Sequence, residues 1–159
     1  MVPEARAPFE KLIETADVFV HNIRPKAAAR LRIDYDTISK LRPDIIYASA
    51  TGFGEDGPYA DKPAYDDLIQ AASGIASLYG RVTGSPKYAP SVMADKTTGL
   101  FLSNYIVMAL FHRERTGEGQ KLHVPMYESF ASFVVNEHLQ GQTFVPVSYT
   151  HLTLPTISD

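Results

Sequence analysis

Cysteine is absent from this chain of 159 residues. The absence excludes disulfide scaffolds, thiolate zinc sites, iron–sulfur clusters and a cysteine nucleophile. It also fits the reducing cytoplasm, where we expect the protein to be located. A basic excess is missing too, because 15 Lys and Arg are set against 18 Asp and Glu for a formal net charge of -3. We therefore do not expect nucleic-acid binding, which requires clustered positive charge.

Long hydrophobic runs are also missing. The longest apolar stretch, residues 100–111, is interrupted by Ser103 and Asn104. It is shorter than the roughly 20 residues that a membrane-spanning helix needs. The first residues show no basic segment followed by an apolar one, so no signal peptide is indicated. We expect neither a membrane span nor export.

Metal binding is not indicated either. The five histidines are His21, His112, His123, His138 and His151. No pair of them has the spacing of a metal site on one helix. A G-x-S-x-G motif is absent as well, which removes the usual sequence support for α/β-hydrolase chemistry. We therefore predict no metal site.

Hydrophobic periodicity predicts an α/β domain. Short apolar runs predict strands at 16–22 (ADVFVHN), 44–50 (DIIYASA) and 120–126 (QKLHVPM). Helical spacing predicts helices at 9–16, from Pro25 onwards, and at 35–41, 65–73, 95–115 and 127–139, and residues 80–90 are interpreted as a loop. This alternation indicates a Rossmann-like, largely parallel sheet with flanking helices. The continuous apolar character of 44–50 predicts a strand covered on both faces.

A glycine motif follows the second predicted strand. Residues 52–57 (GFGEDG) match G-x-G-x-x-G. A dinucleotide site also requires a helix that begins at the third glycine and directs free N–H groups at a pyrophosphate. Here Pro58 follows, and Glu55 and Asp56 place two negative charges in the turn. We interpret the motif as a turn-rich loop at the carboxyl end of a strand, where ligand sites are common.

Asp95 stands at the start of the longest predicted helix, and two interpretations are open for it. A helix N-cap is one, because an Asp side chain accepts hydrogen bonds from the first free N–H groups. The other is a nucleophile, since the helix dipole stabilises the charged form by roughly 0.3–1 kcal/mol at an exposed site. The ionised carboxylate can then attack an activated carbonyl. The two interpretations are compatible.

Basic residues follow the first predicted strand. The sequence NIRP places Asn22 and Arg24 between that strand and the helix that begins near Pro25, and Arg30 lies within the helix. Helix N-termini bind anions, and Arg can pair with a phosphate through two hydrogen bonds. Solvated surface charges are the alternative.

Three segments together resemble the family III CoA-transferases. They are ADVFVHNIRPKAAARLRIDYDTISKLRPDIIYASATGFGEDGPYADKPAYDDLIQAASG at 16–74, VMADKTTGL at 92–100 and ALFHRERTGEGQKLHVPMYES at 109–129. The group also contains formyl-CoA and carnitine-type CoA-transferases and the α-methylacyl-CoA racemases. The resemblance covers nearly all of residues 9–139 and implies the Rossmann-like large domain of that family.

The resemblance implies that Asp95 is the catalytic nucleophile. It would attack an acyl-CoA thioester to form a mixed anhydride, which the released thiolate converts to an aspartyl-CoA thioester. A carboxylic acid acceptor would then collect the CoA through a second anhydride. Covalent catalysis of this kind conserves the thioester energy, so we expect no ATP, metal or tightly bound cofactor, with CoA and acyl-CoA as substrates.

The resemblance also implies CoA-binding and substrate positions. The CoA contacts would come from Asn22, Ile23, Arg24 and Arg30. Lys62 lies one position from a family lysine that binds CoA, with Pro63 at the aligned site. Tyr65 would line the substrate pocket, at the position where racemases carry a histidine base. Since the unperturbed pKa of Tyr is about 10, Tyr65 favours a transferase over a racemase.

Two alternatives stay open. One is a 2-methylacyl-CoA racemase or epimerase, in which Asp95 acts as a base. The other is a CoA-binding or interaction domain without catalysis. The donor and acceptor acids cannot be inferred from the sequence.

The chain departs from the family's full length. The resemblance implies a longer protein with an earlier strand, a second domain and a glycine-rich lid, whose subunits form an interlaced homodimer. We therefore expect residues 1–146 to be part of the large domain. We interpret residues 147–159, which resemble translated adapter sequence, as a non-native tail, with an ordinary polar terminus as the alternative.

Overall fold

The computed structural model describes residues 3–136, which form an α/β fold. The helices are α1 (Pro3–Thr15), α2 (Pro25–Leu31), α3 (Tyr35–Leu41), α4 (Asp66–Ala72), α5 (Ile75–Thr83), α6 (Met93–Thr116) and α7 (Met126–Val135). The strands are β1 (Val18–His21), β2 (Ile46–Thr51) and β3 (Gln120–Pro125). The three predicted strands and the parallel sheet with flanking helices are confirmed.

The strands form one parallel sheet in the order β1-β2-β3. Helices α2 and α3 connect β1 to β2, and α4 to α6 connect β2 to β3. In the register, Ser49 lies between His21 on β1 and His123 on β3. Because paired residues of parallel strands point to the same face, these three side chains form one polar row across the sheet.

The central strand β2 is buried on both faces, as its apolar sequence predicts. Ile46 and Ala48 are fully buried, and Tyr47 between them is nearly so. Tyr47 belongs to a hydrophobic cluster with residues from α1, α2 and α3. Successive strand side chains alternate in direction, so Ile46 and Ala48 point to the opposite face, where α6 packs against β2 and β3.

A second hydrophobic cluster lies on the side of α6. Its buried members are Phe53, Ile69, Ala94, Phe130 and Val134, and they come from the loop after β2 and from α4, α6 and α7. Fully burying a side chain of this size stabilises a fold by roughly 1.5–3 kcal/mol. The cluster therefore fixes the starts of α4 and α6 relative to each other.

Helix ends follow their sequence signals in several places. Pro25 begins α2, where its fixed φ suits the first turn and no N–H is needed. Gly117 ends α6 in the left-handed conformation with φ 78°. These signals confirm the predicted start of α2 and the predicted stop after residue 115.

The predicted loop at 80–90 is wrong in its first part. Helix α5 extends over Ile75–Thr83 and includes Gly80, a residue that disfavours helices. Gly74 and Gly84 bound the helix, both with positive φ. Ile75 packs on the second cluster, and this tertiary contact stabilises a helix that local sequence does not indicate.

Helix α7 is described over Met126–Val135, and the predicted continuation to 139 lies outside the described residues from 137 onwards. Residues 137–159 lie outside the described residues, so the domain boundary at 146 and the non-native tail stay predictions. Within residues 3–136, no helix has the length and apolar character needed to cross a membrane.

Gly119 permits the close approach of β3 to β2. A Cβ added at Gly119 would lie 2.5 Å from the backbone oxygen of Ile45. We expect Gly119→Ala to lower the free energy of unfolding by about 1–3 kcal/mol through overpacking. The matched control is Gly99→Ala on α6, where an added Cβ would meet no other element of residues 3–136 within 4 Å. This control should raise stability by up to about 1 kcal/mol, and urea unfolding of both variants measures the difference. Equal stability changes would contradict the close-packing argument.

Candidate functional site

The candidate site lies at the edge of the sheet where the strands end. Residues 22–24 follow β1, and the loop 52–65 follows β2. Because both strands are parallel, their carboxyl ends meet at the same edge, the usual location of ligand sites in open α/β sheets. The sheet topology therefore brings together two segments that the sequence analysis singled out separately.

The loop after β2 is held by the start of α7. The Gly54 N–H donates to Oε1 of Glu128 at 2.9 Å, and the Tyr127 N–H donates to the Gly52 carbonyl oxygen at 3.0 Å. Phe53 between the two glycines is buried in the second cluster. The Glu128 carboxylate thus already accepts from the Gly54 N–H, which a bound pyrophosphate would need as a donor. This arrangement agrees with the interpretation of the glycine motif as a turn-rich loop.

A basic cluster forms where residues 59–62 meet the start of α2. Nη1 of Arg24 donates to the Asp61 carbonyl oxygen at 3.3 Å, and Nζ of Lys26 pairs with Oδ2 of Asp61 at 2.5 Å. Nζ of Lys62 lies 4.1 Å from the centroid of the Tyr59 ring. Because Asp61 directly precedes Lys62, the contact between Arg24 and Asp61 places the backbone of Lys62 next to the Arg24 side chain.

Arg30 lies in the last turn of α2 and is exposed to solvent. It follows Lys26 by four positions, so the two side chains share one face of the helix. Asn22 is exposed as well. Arg30 thus shares a helix face with Lys26, which pairs with Asp61 in the basic cluster.

Ile23 is held by a hydrogen-bonded chain. Its N–H donates to Nδ1 of His21 at 3.1 Å, so the proton of neutral His21 is on Nε2. That atom donates to Oη of Tyr47 at 2.6 Å, and Tyr47 donates to the Ile33 carbonyl oxygen at 3.1 Å. Burial lowers the pKa of His21 and raises the pKa of Tyr47 to about 12. Both groups are therefore neutral at pH 7, and the chain fixes the backbone of a predicted CoA-binding residue.

A cavity of about 290 Å³ lies on the same face as this chain. Its lining includes His21, Ile23, Tyr47, Ser49 and Thr51 but not Asp95. Ser49 donates to a carbonyl oxygen of β3, and Thr51 bonds to His123. These hydroxyls are already used in holding the strands together, so we interpret this polar face as part of the fold.

Asp95 is not the N-cap of α6, contrary to one interpretation of the sequence. The helix begins at Met93 with Val92 as N-cap, which places Asp95 at the third helical position. Its side chain makes no capping hydrogen bond and is exposed to solvent. Two additional residues before Asp95 take helical conformation because Ala94 is buried in the second cluster. The carboxylate is therefore open to a ligand.

The charge of Asp95 is disfavoured by its surroundings. Partial burial raises the pKa of the Asp95 carboxyl above its ordinary value, and the nearby Asp66 carboxylate raises it further. Both effects oppose the stabilisation that a helix N-terminus offers to an anion. The sequence predicts only the stabilising effect, because Asp66 is 29 positions away along the chain.

Tyr65 is the N-cap residue of α4 and its side chain is 79 % exposed. The next residue, Asp66, accepts a hydrogen bond through Oδ1 from the Asp95 N–H at 2.9 Å. The structure therefore joins the start of α4, which Tyr65 precedes, to the backbone of Asp95. Lys62 lies three residues before Tyr65, a distance of at most about 11 Å in extended chain. Segment 59–66 thus connects the basic cluster with Asp95.

Sequence reasoning missed Asp66 and Gln70. Both are buried in α4, and Nε2 of Gln70 donates to Oδ2 of Asp66. Their spacing of four residues on a predicted helix is the signal that could have indicated a pair.

The comparisons with known proteins agree on one family. Residues 1–151 match the family described as CoA-transferase family III. The chain is 36% identical over 137 residues to a succinate–glutarate CoA-transferase of Agrobacterium fabrum, covering 86% of this chain and 34% of the relative. It is 39% identical over 130 residues to an acetyl-CoA:oxalate CoA-transferase of Acetobacter aceti, covering 81% of this chain and 33% of the relative. The chain thus spans about a third of the length of these curated relatives.

Solved structures show the same fold. A CaiB/BaiF family protein from Brucella suis matches with a TM-score of 0.82 and 33% identity, covering 87% of this chain and 36% of that protein. Rv3272 from M. tuberculosis matches with a TM-score of 0.81 and 27% identity, covering 89% of this chain and 39% of that protein. These similarities support the fold derived from residues 3–136.

Ionised Asp95 destabilises the folded protein. Since its pKa is raised in the folded state, the penalty is present above the folded pKa and disappears below the ordinary value of 3.8. We expect Asp95→Asn to raise the free energy of unfolding at pH 7 by less than about 1 kcal/mol, the size typical of solvent-screened charge pairs. The gain should vanish as the pH falls below 3.8.

The matched control for this measurement is Asp67→Asn, which removes the same charge from an exposed position on α4. We expect no gain in stability from the control. Denaturant unfolding between pH 3 and 8 compares the two variants. A gain that persists unchanged at low pH would contradict the electrostatic explanation.

Proposed function

Because the chain belongs to CoA-transferase family III, we propose that it is part of an enzyme that moves coenzyme A between carboxylic acids. The single observation that carries the proposal is the exposed carboxylate of Asp95 at the start of α6. It is joined to the basic cluster by segment 59–66 and is accessible to an acyl-CoA thioester. The curated relatives, named for transfer of CoA between acids, support the same reaction class.

We propose Asp95 as the nucleophile. One carboxylate oxygen attacks the thioester carbonyl, the C–S bond breaks, and CoA leaves as the thiolate. The thiolate then attacks the Asp95 carbonyl of the mixed anhydride and releases the donor carboxylate. An acceptor carboxylate attacks the aspartyl-CoA thioester, the C–S bond breaks, and a second anhydride forms as CoA leaves again as the thiolate. The thiolate then attacks the acceptor acyl carbon of this anhydride and releases Asp95 as the carboxylate. Each step exchanges one acyl bond for another, so no ATP is consumed.

Arg24, Arg30 and Lys62 provide the charge that the phosphates of CoA require. A guanidinium can form paired hydrogen bonds with a phosphate, whereas an ammonium acts as a point charge. Asn22 and Ile23 are proposed to contact the coenzyme beside them, with the Ile23 backbone held by His21. Tyr65, which directly precedes Asp66, is proposed to face the acyl group. CoA is thus a substrate, and no tightly bound cofactor is proposed.

The assembly and location of the enzyme are part of the proposal. We propose an interlaced homodimer for the complete transferase and a location in the cytoplasm. An exposed apolar row on α6, formed by Leu100, Val107, Met108 and Phe111, is consistent with coverage by further protein. Light scattering on the complete protein measures the oligomeric state.

Replacing the nucleophile tests the mechanism. In the complete transferase that contains this chain, we expect Asp95→Ala to reduce CoA transfer at least 1,000-fold, because the covalent route is lost. The affinity for CoA should change less than about twofold, since the basic cluster remains intact. Activity assays and calorimetric titration with CoA measure the two effects, and Asp67→Ala is the matched control.

Trapping with hydroxylamine separates the alternatives. A transferase incubated with acyl-CoA forms a hydroxamate at Asp95, detectable by mass spectrometry. A racemase forms none but exchanges the α-proton with deuterated solvent. CoA binding without either signal identifies a non-catalytic domain and excludes the proposed reaction.

The basic cluster is tested by affinity. We expect Arg24→Ala combined with Arg30→Ala to weaken CoA binding by at least tenfold, because two charge-assisted phosphate contacts are lost. The same change should weaken dephospho-CoA less, provided that one arginine meets the 3′-phosphate. The control is Arg115→Ala at the far end of α6, about 30 Å along the helix from Asp95 at 1.5 Å per residue. Equal weakening by the control would contradict this location of the CoA site.

A further inference from the structure

Two polar side chains are buried where α4 meets the start of α6. Asp66 is 5 % exposed and Gln70 is 1 % exposed, and both belong to α4. Burying a charge or an amide is costly unless hydrogen bonds satisfy it. Among the described residues, no buried side-chain nitrogen or oxygen lacks a hydrogen-bond partner.

The hydrogen bonds of this pair all lead to one segment. Oδ1 of Asp66 accepts from the Asp95 N–H at 2.9 Å, and Oδ2 accepts from Nε2 of Gln70. Nε2 of Gln70 also donates to the Ser91 carbonyl oxygen at 3.1 Å, and Oε1 accepts from the Ala89 N–H at 2.8 Å. The pair therefore binds the backbone of residues 89–95 at three positions.

This network replaces a local helix cap. The N-cap residue Val92 has no side chain that can accept from the first free N–H groups of α6. The N–H of Asp95 finds its acceptor on another helix instead. Apolar contacts between Ile69 and Ala94 already join α4 to α6 in the second cluster. The Asp66 carboxylate adds hydrogen bonds to this apolar contact, and one of them binds the backbone of Asp95.

We propose that Asp66 and Gln70 are positioning residues that hold the backbone of Asp95 and direct its carboxylate towards the thioester. This inference rests on the proposed function of Asp95 as nucleophile. Asp66 acts through the Asp95 amide, and Gln70 acts through Asp66 and the segment before α6. Neither residue needs to contact CoA.

The charge of Asp66 also favours the covalent intermediate. An ionised Asp95 lies beside a second negative charge, whereas acylation of Asp95 makes its side chain neutral and removes the repulsion. Consistently, the Asp66 carboxylate raises the pKa of Asp95 after the larger effect of burial.

The variant Asp66→Asn tests the inference in the complete transferase. It keeps the volume but removes the charge, and an Asn cannot accept from both Gln70 and Asp95 as the carboxylate does. We expect kcat to fall about tenfold or more while KM for acyl-CoA changes less than twofold. The acidic limb of the kcat–pH profile should move to lower pH, because Asp95 loses the neighbouring negative charge.

Asp67→Asn is the matched control, since it removes a charge from the adjacent and exposed position of the same helix. Its kcat and pH profile should equal those of the wild type within twofold. Gln70→Met is the second variant, because it keeps an unbranched side chain of similar volume but removes the hydrogen bonds. We expect it to lower kcat with little change in KM.

Two measurements on the 159-residue chain do not depend on activity. The amide of Asp95 should exchange slowly with deuterated solvent in the wild type, because Asp66 binds it. The carboxyl carbon of Asp95, followed by NMR, should titrate at lower pH in Asp66→Asn than in Asp67→Asn. Unprotected exchange of the Asp95 amide in the wild type overturns the inference even where no variant folds.

The outcomes distinguish a failure of the proposed function from a failure of the positioning role. Absence of CoA transfer by the wild type, or full transfer by Asp95→Ala, overturns the proposed function. Transfer that depends on Asp95 but is equal in Asp66→Asn and Asp67→Asn overturns only the positioning role. A lower kcat accompanied by an unchanged pH profile and a lower melting temperature assigns Asp66 a structural role and also overturns it.

Discussion

Burial of the central strand β2 on both faces is the constraint on which the rest of the structure depends. Its backbone groups are paired with β1 on one side and β3 on the other. Its side chains alternate between the face of the first hydrophobic cluster and the face on which α6 packs, so helices cover both faces. This requirement places α1 to α3 with one cluster and α4, α6 and α7 with the other. The carboxyl ends of the parallel strands then form the edge of the sheet where the loops after β1 and β2 meet.

At this edge, two kinds of electrostatic environment lie side by side. Arg24 and Lys26 contact Asp61 near the start of α2, and Lys62 lies over the Tyr59 ring. A few residues further along the loop, Asp66 and Asp95 place two carboxylates close together. The first environment favours a phosphorylated coenzyme, and the second favours a reaction that neutralises one carboxylate. A CoA thioester meets both conditions, because its phosphates and its reactive carbonyl lie at opposite ends of a long molecule.

Local signals predicted much of the fold. Pro25 marks the start of α2 and Gly117 marks the end of α6 through their own backbone conformations. The apolar run of β2 marks a buried strand. Each of these signals is contained in a short stretch of sequence. The helix α5 was not predictable in this way, because Gly80 disfavours it locally and packing of Ile75 stabilises it. The position of Asp95 within α6 likewise depends on the burial of Ala94, which is a tertiary contact.

Residue types and the family resemblance predicted the residues of the candidate site but not the contacts between them. The resemblance pointed to Asp95, and the structure shows it exposed, but the partner that binds its amide comes from a different helix. Contacts of this kind follow from topology and register, as does the row that unites His21 with His123. The roles of Asp95, Asn22, Ile23, Arg24, Arg30, Lys62 and Tyr65 in catalysis and binding stay predictions.

The hydrogen bond from Gly54 to Glu128 has a wider meaning for glycine-rich turns. The Glu128 carboxylate already accepts from the Gly54 N–H, so this N–H does not attract an external anion. Exchange of Glu128 for a neutral residue would free the Gly54 N–H, while Glu55 and Asp56 would keep the turn negatively charged. Whether this N–H is available to a ligand thus depends on a residue more than seventy positions downstream.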